Sequence, residues 1–171
     1  MIVHGLPFSF IPRAVLPLSL RRRDWLRWAV AAGAPLAAYA QSGAATLPAA
    51  QSLRDELKAA LKKKQPLVVM ASLEGCPFCR MARQSYLSPM HQSGLDIVQV
   101  DMNSALPLLD FAGMATTHGQ LIRQWKIAVT PTVLFFGPGG KEVAERLEGA
   151  SLPDFYGAYL DDRLEKGRRA L

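Results

Sequence analysis

The chain has 171 residues, half of them hydrophobic and a fifth charged, with two cysteines and a formal charge of +6. This composition suits one ordinary domain with a sizeable core plus an extension, and excludes wholesale disorder. The charge would suit a nucleic-acid binder, but residues 1–40 hold five arginines against Asp24 alone, which leaves 15 basic and 13 acidic residues in 41–171. The domain is close to neutral, and no nucleic-acid partner is expected.

Residues 1–40 read as a signal peptide. Three arginines (21–23) precede a small-residue apolar stretch (25–38) that is too short to span a bilayer, which takes roughly 20 residues. It ends in Ala38-Tyr39-Ala40, a pattern that signal peptidase cuts, so the mature chain is expected to begin at Gln41 and to lie in the periplasm. The segment 22–27, "RRDWLR", resembles a twin-arginine signal; the general secretory route is the other possibility. Residues 41–50, mostly small, are expected to be a flexible exit segment.

From there the elements alternate. Leu53, Leu57 and Leu61 form one stripe of a helix over 52–64, opened by a Ser52/Asp55 capping pair and closed by lysines and Pro66. The apolar run 66–72 predicts a strand buried on both faces. A helix is expected from Cys79 to Leu87, with Pro89 as its breaker, and a second buried strand at 95–102. Residues 106–117 suggest a short hairpin around Gly113, and 118–127 a brief helix with Leu121, Ile122 and Trp125 inward. Residues 129–149 read as a β-hairpin turning at "GPGG". The last helix, 151–167, starts at Ser151 and is expected to pack Phe155, Tyr159 and Leu160; 168–171 form a tail. Strands alternating with helices and ending in an antiparallel hairpin imply an α/β domain over 51–167, with a mixed central sheet and helices on both faces.

The cysteines stand in "CPFC", directly after the first strand and at a helix start. That position sets Cys76 beside unpaired N–H groups and the positive end of a helix, both of which lower a thiol pKa and favour the nucleophilic thiolate. Pro77 suits the first helical position. Cys79, one turn deeper, could resolve a mixed disulfide. Other readings stand beside this one. A metal half-site would need His91 and His118 to complete it, without the paired spacing of a zinc finger. A purely structural disulfide would close so small a loop that it adds little stability. Covalent haem is excluded, because residue 80 is Arg rather than His.

Strand, "CPFC", helix, then "VTPT" (129–132) ahead of a hairpin and last helix resembles the thioredoxin fold over roughly 51–167. In detail it is similar to the exported, single-domain periplasmic thioredoxins, including the SoxW-like proteins, which also carry an extra segment like 108–125. The resemblance implies a redox-active Cys76–Cys79 pair and makes Pro131 the family's cis-proline. It also leaves the Thr130 backbone free to pair with an extended client segment. Pro77 and Phe78 are implied neighbours of the client, Phe78 as an apolar platform or as core. The chain departs from cytosolic thioredoxins at Gly75, where they have tryptophan, at the Pro77-Phe78 dipeptide, and at Met70, which replaces their buried aspartate. Glu74, near in sequence, could take over its proton transfer; the other reading is a solvated surface acid.

The resulting expectation is a periplasmic thiol–disulfide oxidoreductase without a soluble cofactor. It would reduce disulfides in client proteins as a monomer, recharged by a membrane thiol-electron carrier. The alternatives are an oxidase that donates its disulfide and a non-catalytic binding module of the same fold.

Overall fold

A computed structural model describes residues 46–150 and 153–171. The leader, its cleavage site and Ser151 lie outside the described residues.

Helix α1 (Leu53–Lys62) leads through a turn into β1 (Leu67–Ser72), whose six residues are all buried. The cysteine segment follows as α2 (Pro77–Met81), a π-helical turn (Ala82–Leu87) and α3 (Ser88–Gln92), before β2 (Ile97–Asp101). The small hairpin β3 (Pro107–Leu109) and β4 (Ala115–Thr117) precedes α4 (His118–Gln124). Strands β5 (Thr132–Gly137) and β6 (Lys141–Glu148) form the second hairpin, and α5 (Pro153–Arg169) closes the fold.

The main sheet has the order β2-β1-β5-β6. Strands β1 and β2 are parallel, and the cysteine helices supply the crossover that such a pair requires. The β1–β5 and β5–β6 pairs are antiparallel. Because successive strand residues point to opposite faces, the sheet feeds two cores. Val69, Ala71, Leu134 and Phe136 face α1 and α4. Val68, Met70, Val133 and Phe135 face the cysteine helices and α5. This is the mixed, doubly covered sheet that the alternating pattern predicts. The "GPGG" turn also needs its glycines: Gly140 has φ +70°, and a Cβ there would stand 2.5 Å from the Phe111 ring.

Four expectations are corrected. Pro89 does not end the cysteine helix, which continues to Gln92. The widened turn before it, in which the Ser88 N–H reaches the Arg83 carbonyl, relieves the crowding that a proline ring imposes on the preceding turn. In α5 the buried stripe is Tyr156, Leu160 and Leu164, while Phe155 and Tyr159 are exposed. Both stripes have four-residue spacing, and the register is decided by which one meets the sheet. The helix also runs past residue 167 to Arg169, into the expected tail. Finally, residues 48–50 are not a loose exit. The Gln99 N–H donates to Pro48 O at 2.8 Å and the Ala50 N–H to Gln99 O at 2.9 Å, which pairs the otherwise open edge of β2.

Candidate functional site

The register Ala71↔Thr132 places the C-terminal end of β1 beside the N-terminal end of β5. Whatever follows β1 therefore meets whatever precedes β5, and this juxtaposition builds the site. Gly75, at φ +76°, turns the chain out of β1, and Pro77 starts the helix. The peptide between Thr130 and Pro131 is cis.

The two cysteines are free thiols in unlike settings. Cys76 caps the helix. Its Sγ accepts the Cys79 N–H at 3.1 Å, donates to Thr130 O at 3.9 Å, and lies 4.0 Å from the donating Thr130 hydroxyl. Partial burial pushes its thiol up. The hydrogen bonds from the Cys79 thiol and N–H, the Thr130 hydroxyl and the Phe78 backbone outweigh that, and its pKa falls below the ordinary thiol value. Cys79 is wholly buried, and burial, followed by its hydrogen bond to Cys76, raises its pKa. One sulfur is partly open and biased toward thiolate; the other is enclosed and biased toward thiol.

Cys76 also lines a cleft of about 690 Å³. Its far wall is held by Arg83, whose guanidinium donates to Ser72 Oγ and to Gln99 Oε1, each at 2.8 Å. Gln99 in turn donates to Asp101 at 2.6 Å. Arg80, one turn before Arg83, lines the same cleft.

Of the residues read from the sequence, Cys76, Cys79, Thr130 and Pro131 meet at the β1–β5 end. Phe78 is 54 % exposed, on the surface beside Cys76 rather than in the core. Pro77 is likewise exposed. Met70 is fully buried in the cluster that encloses Cys79, and Glu74 is exposed on the cleft. The two histidines weighed as metal ligands are used elsewhere. His91 Nδ1 lies 3.1 Å from Leu95 O. The buried His118 accepts the Asp101 N–H at Nδ1, which leaves Nε2 to donate to Ala50 O, both at 3.0 Å. Among the described residues no three His, Cys, Asp or Glu side chains cluster as a metal site would need. Sequence reasoning missed two residues that lie around the cysteines. Arg83 has no motif. Tyr156, on the buried stripe of α5, was concealed by its exposed neighbours Phe155 and Tyr159.

A family model for a thioredoxin-like domain matches residues 53–164, well over half of the chain. No curated protein matches the sequence. Several solved structures resemble it at low identity. A thioredoxin from Thermus thermophilus is 20% identical, with 71% of this chain and 87% of that one covered at a TM-score of 0.45. Poplar thioredoxin h is 19% identical, with 66% and 95% covered at a TM-score of 0.43. The periplasmic thioredoxin SoxS from Paracoccus pantotrophus is also 19% identical, with 60% and 98% covered at a TM-score of 0.39. The family match runs from the first turn of α1 into α5 and spans the paired thiols, and the fold it covers is consistent with thiol–disulfide oxidoreduction. The chain belongs to the thioredoxin-like domain family.

Proposed function

We propose that this protein is an exported thiol–disulfide oxidoreductase that reduces disulfides in periplasmic client proteins. The observation that carries the reading is the asymmetry of the two thiols, with Cys76 partly open and its pKa lowered, and Cys79 enclosed one turn below. A thiolate at the surface is the attacking group that exchange requires, and a buried thiol within reach is the group that ends it.

In the first step the Cys76 thiolate attacks one sulfur of a client disulfide. That S–S bond breaks, a Cys76–client bond forms, and the other client sulfur leaves as a thiol after taking up a proton. In the second step Cys79 loses its proton and attacks the Cys76 sulfur. The client leaves reduced, and Cys76–Cys79 becomes the disulfide. A membrane thiol carrier would return two electrons and two protons, because the signal-like leader points to a compartment that cytosolic reductants do not reach. Pro77, Phe78, Thr130 and Pro131 border the attacked sulfur. Phe78 and the exposed Val129 offer apolar contact, and the Thr130 backbone offers pairing to an extended client strand.

The test is a trap. Cys79→Ser should accumulate mixed disulfides through Cys76 with proteins of the periplasmic fraction, on a mature chain that begins near Gln41. An empty trap under oxidising conditions, or adducts confined to the cytosol, would sink the reading. A redox titration fixes the direction: a midpoint near about −270 mV marks a reductase, and one near about −120 mV the alternative disulfide donor.

A further inference from the structure

Cys79 must lose a proton to act, and its surroundings offer little help. Met70 occupies the buried strand position beneath the cysteines, and a thioether neither takes nor gives a proton. Glu74 is on the open side of the site. Within the apolar cluster that encloses Cys79, the ionisable side chains are Cys76, Tyr86 and Tyr156.

Tyr156 is the unusual member. It is 2% exposed, and its hydroxyl has no hydrogen-bond partner among the described residues. A buried hydroxyl without a partner is destabilising, and phenylalanine would fill the same space without that penalty. The ring is firmly placed. It tilts against Tyr86 with centroids 5.3 Å apart. Tyr86 belongs to the π-helical turn that continues the cysteine helix, so Tyr156 is packed onto the element that carries Cys79. The next residue, Gly157, makes room for this contact, since a Cβ there would stand 3.1 Å from Tyr86 Cε1. Burial first, then the negative charge of Cys79, hold the Tyr156 phenol well above its usual range. It therefore keeps its proton and can only donate to an anion beside it.

We infer that the Tyr156 hydroxyl serves the resolving step, donating a hydrogen bond to the Cys79 sulfur as that sulfur becomes anionic. The inference rests on the reading of Cys79 as the resolving thiol. The step balances without the phenol changing state. Cys79 gives up its proton to solvent, its sulfur bonds to Cys76, the Cys76–client bond breaks, and the client sulfur leaves as a thiol after taking a proton back from solvent. A hydrogen bond absent in the resting dithiol and made only as charge develops lowers the barrier rather than stabilising the ground state.

The two thiol steps can be timed separately. Reduced protein mixed with 5,5′-dithiobis(2-nitrobenzoate) should release one thionitrobenzoate on attack by Cys76 and a second as Cys79 resolves the adduct. In Tyr156→Phe the first phase should be unchanged and the second about tenfold slower at pH 7, the worth of one charge-assisted hydrogen bond. The pH midpoint of the second phase should also move up, while the thermal midpoint stays level or rises. An unchanged second phase would overturn the inference, as would equal slowing of both phases. A lowered thermal midpoint would do so too, because it would give the hydroxyl a structural partner. A wild-type protein with no second phase would instead overturn the dithiol reading itself.

Discussion

The two faces of the central sheet draw on the same strands and differ in how they treat polar atoms. The face toward α1 and α4 is a scaffold. Its apolar cluster runs from Ala50 to Phe136, and the buried His118 nearby has both ring nitrogens hydrogen-bonded. The face toward the cysteine helices and α5 encloses the Cys79 thiol and the unpartnered Tyr156 hydroxyl. Both faces exclude water equally well at their centres. What separates them is that one buries an imidazole with both nitrogens bonded, and the other buries a thiol and an unpartnered hydroxyl beside the site. Stability and chemistry are thereby divided across one sheet thickness.

Adjacent phenylalanines in β5 test that division most severely. Phe136 sits on the scaffold face against Phe111 and Trp125, with ring centroids 4.7 and 5.2 Å away. Phe135 points the other way, into the cluster that holds Cys79. Truncating either to alanine should cost about 3–5 kcal/mol in urea unfolding, since each leaves a large cavity at the sheet centre. Their effects on the thiols should differ. In the folded proteins, Phe135→Ala should loosen the enclosure of Cys79 and expose it to alkylation, and Phe136→Ala should leave it protected. Equal loss of protection in both variants would erase the distinction between the faces.

Much of this architecture was legible in the sequence, because it rests on local periodicity. The all-buried run 67–72, the "GPGG" hairpin and the Cys76/Cys79 pair at a strand–helix junction each carry their signal within a few residues. The readings that failed depended on distant partners. Whether α5 buries Tyr156 or Phe155 is decided by the sheet beneath it, since both residues stand in stripes of the same spacing. The pairing of residues 48–50 with Gln99 required knowing that β2 would be an edge strand. Pro89 inside a helix depended on a π turn, for which the sequence has no pattern. The site shows the same split. Its paired thiols were readable from a motif, but the Arg83 bonds and the Tyr156 ring come from elements brought together only by the fold.

The contrast within the redox face can be sharpened by pH. The Cys76 pKa is lowered and the Cys79 pKa raised, so their thiolates appear in separate windows as pH climbs. The sign follows from the thiolate being the reacting form. Iodoacetamide should label Cys76 at pH values where an ordinary thiol, with pKa about 8.5, is still protonated, and its rate should fall only as the pH drops through the lowered pKa. Cys79 should stay unlabelled until well above neutrality. At pH 7 the ratio of the two rates, read by peptide mass mapping, should be on the order of tenfold or more. Thr130→Val, which removes a hydroxyl that lowers both thiols, should move both profiles up. Superimposable profiles for the two cysteines would mean that the surroundings do not distinguish them.

The smallest effect is expected at the far end of the scaffold face, where α1 begins. Ser52 Oγ accepts the Asp55 N–H at 3.3 Å and donates to the Asp55 carboxylate at 2.6 Å. The Glu56 carboxylate reaches back to the N–H groups of Gln51 and Ser52, at 2.9 and 3.3 Å. Ser52→Ala removes the first arrangement and leaves the second, so the loss should be about 1 kcal/mol in urea unfolding, the usual worth of one N-cap side chain. Because α1 touches only the scaffold cluster, the labelling rates of both cysteines in the folded variant should equal those of the parent. A change in either rate would show that strain at α1 passes through the sheet, and the two faces would then act as one unit.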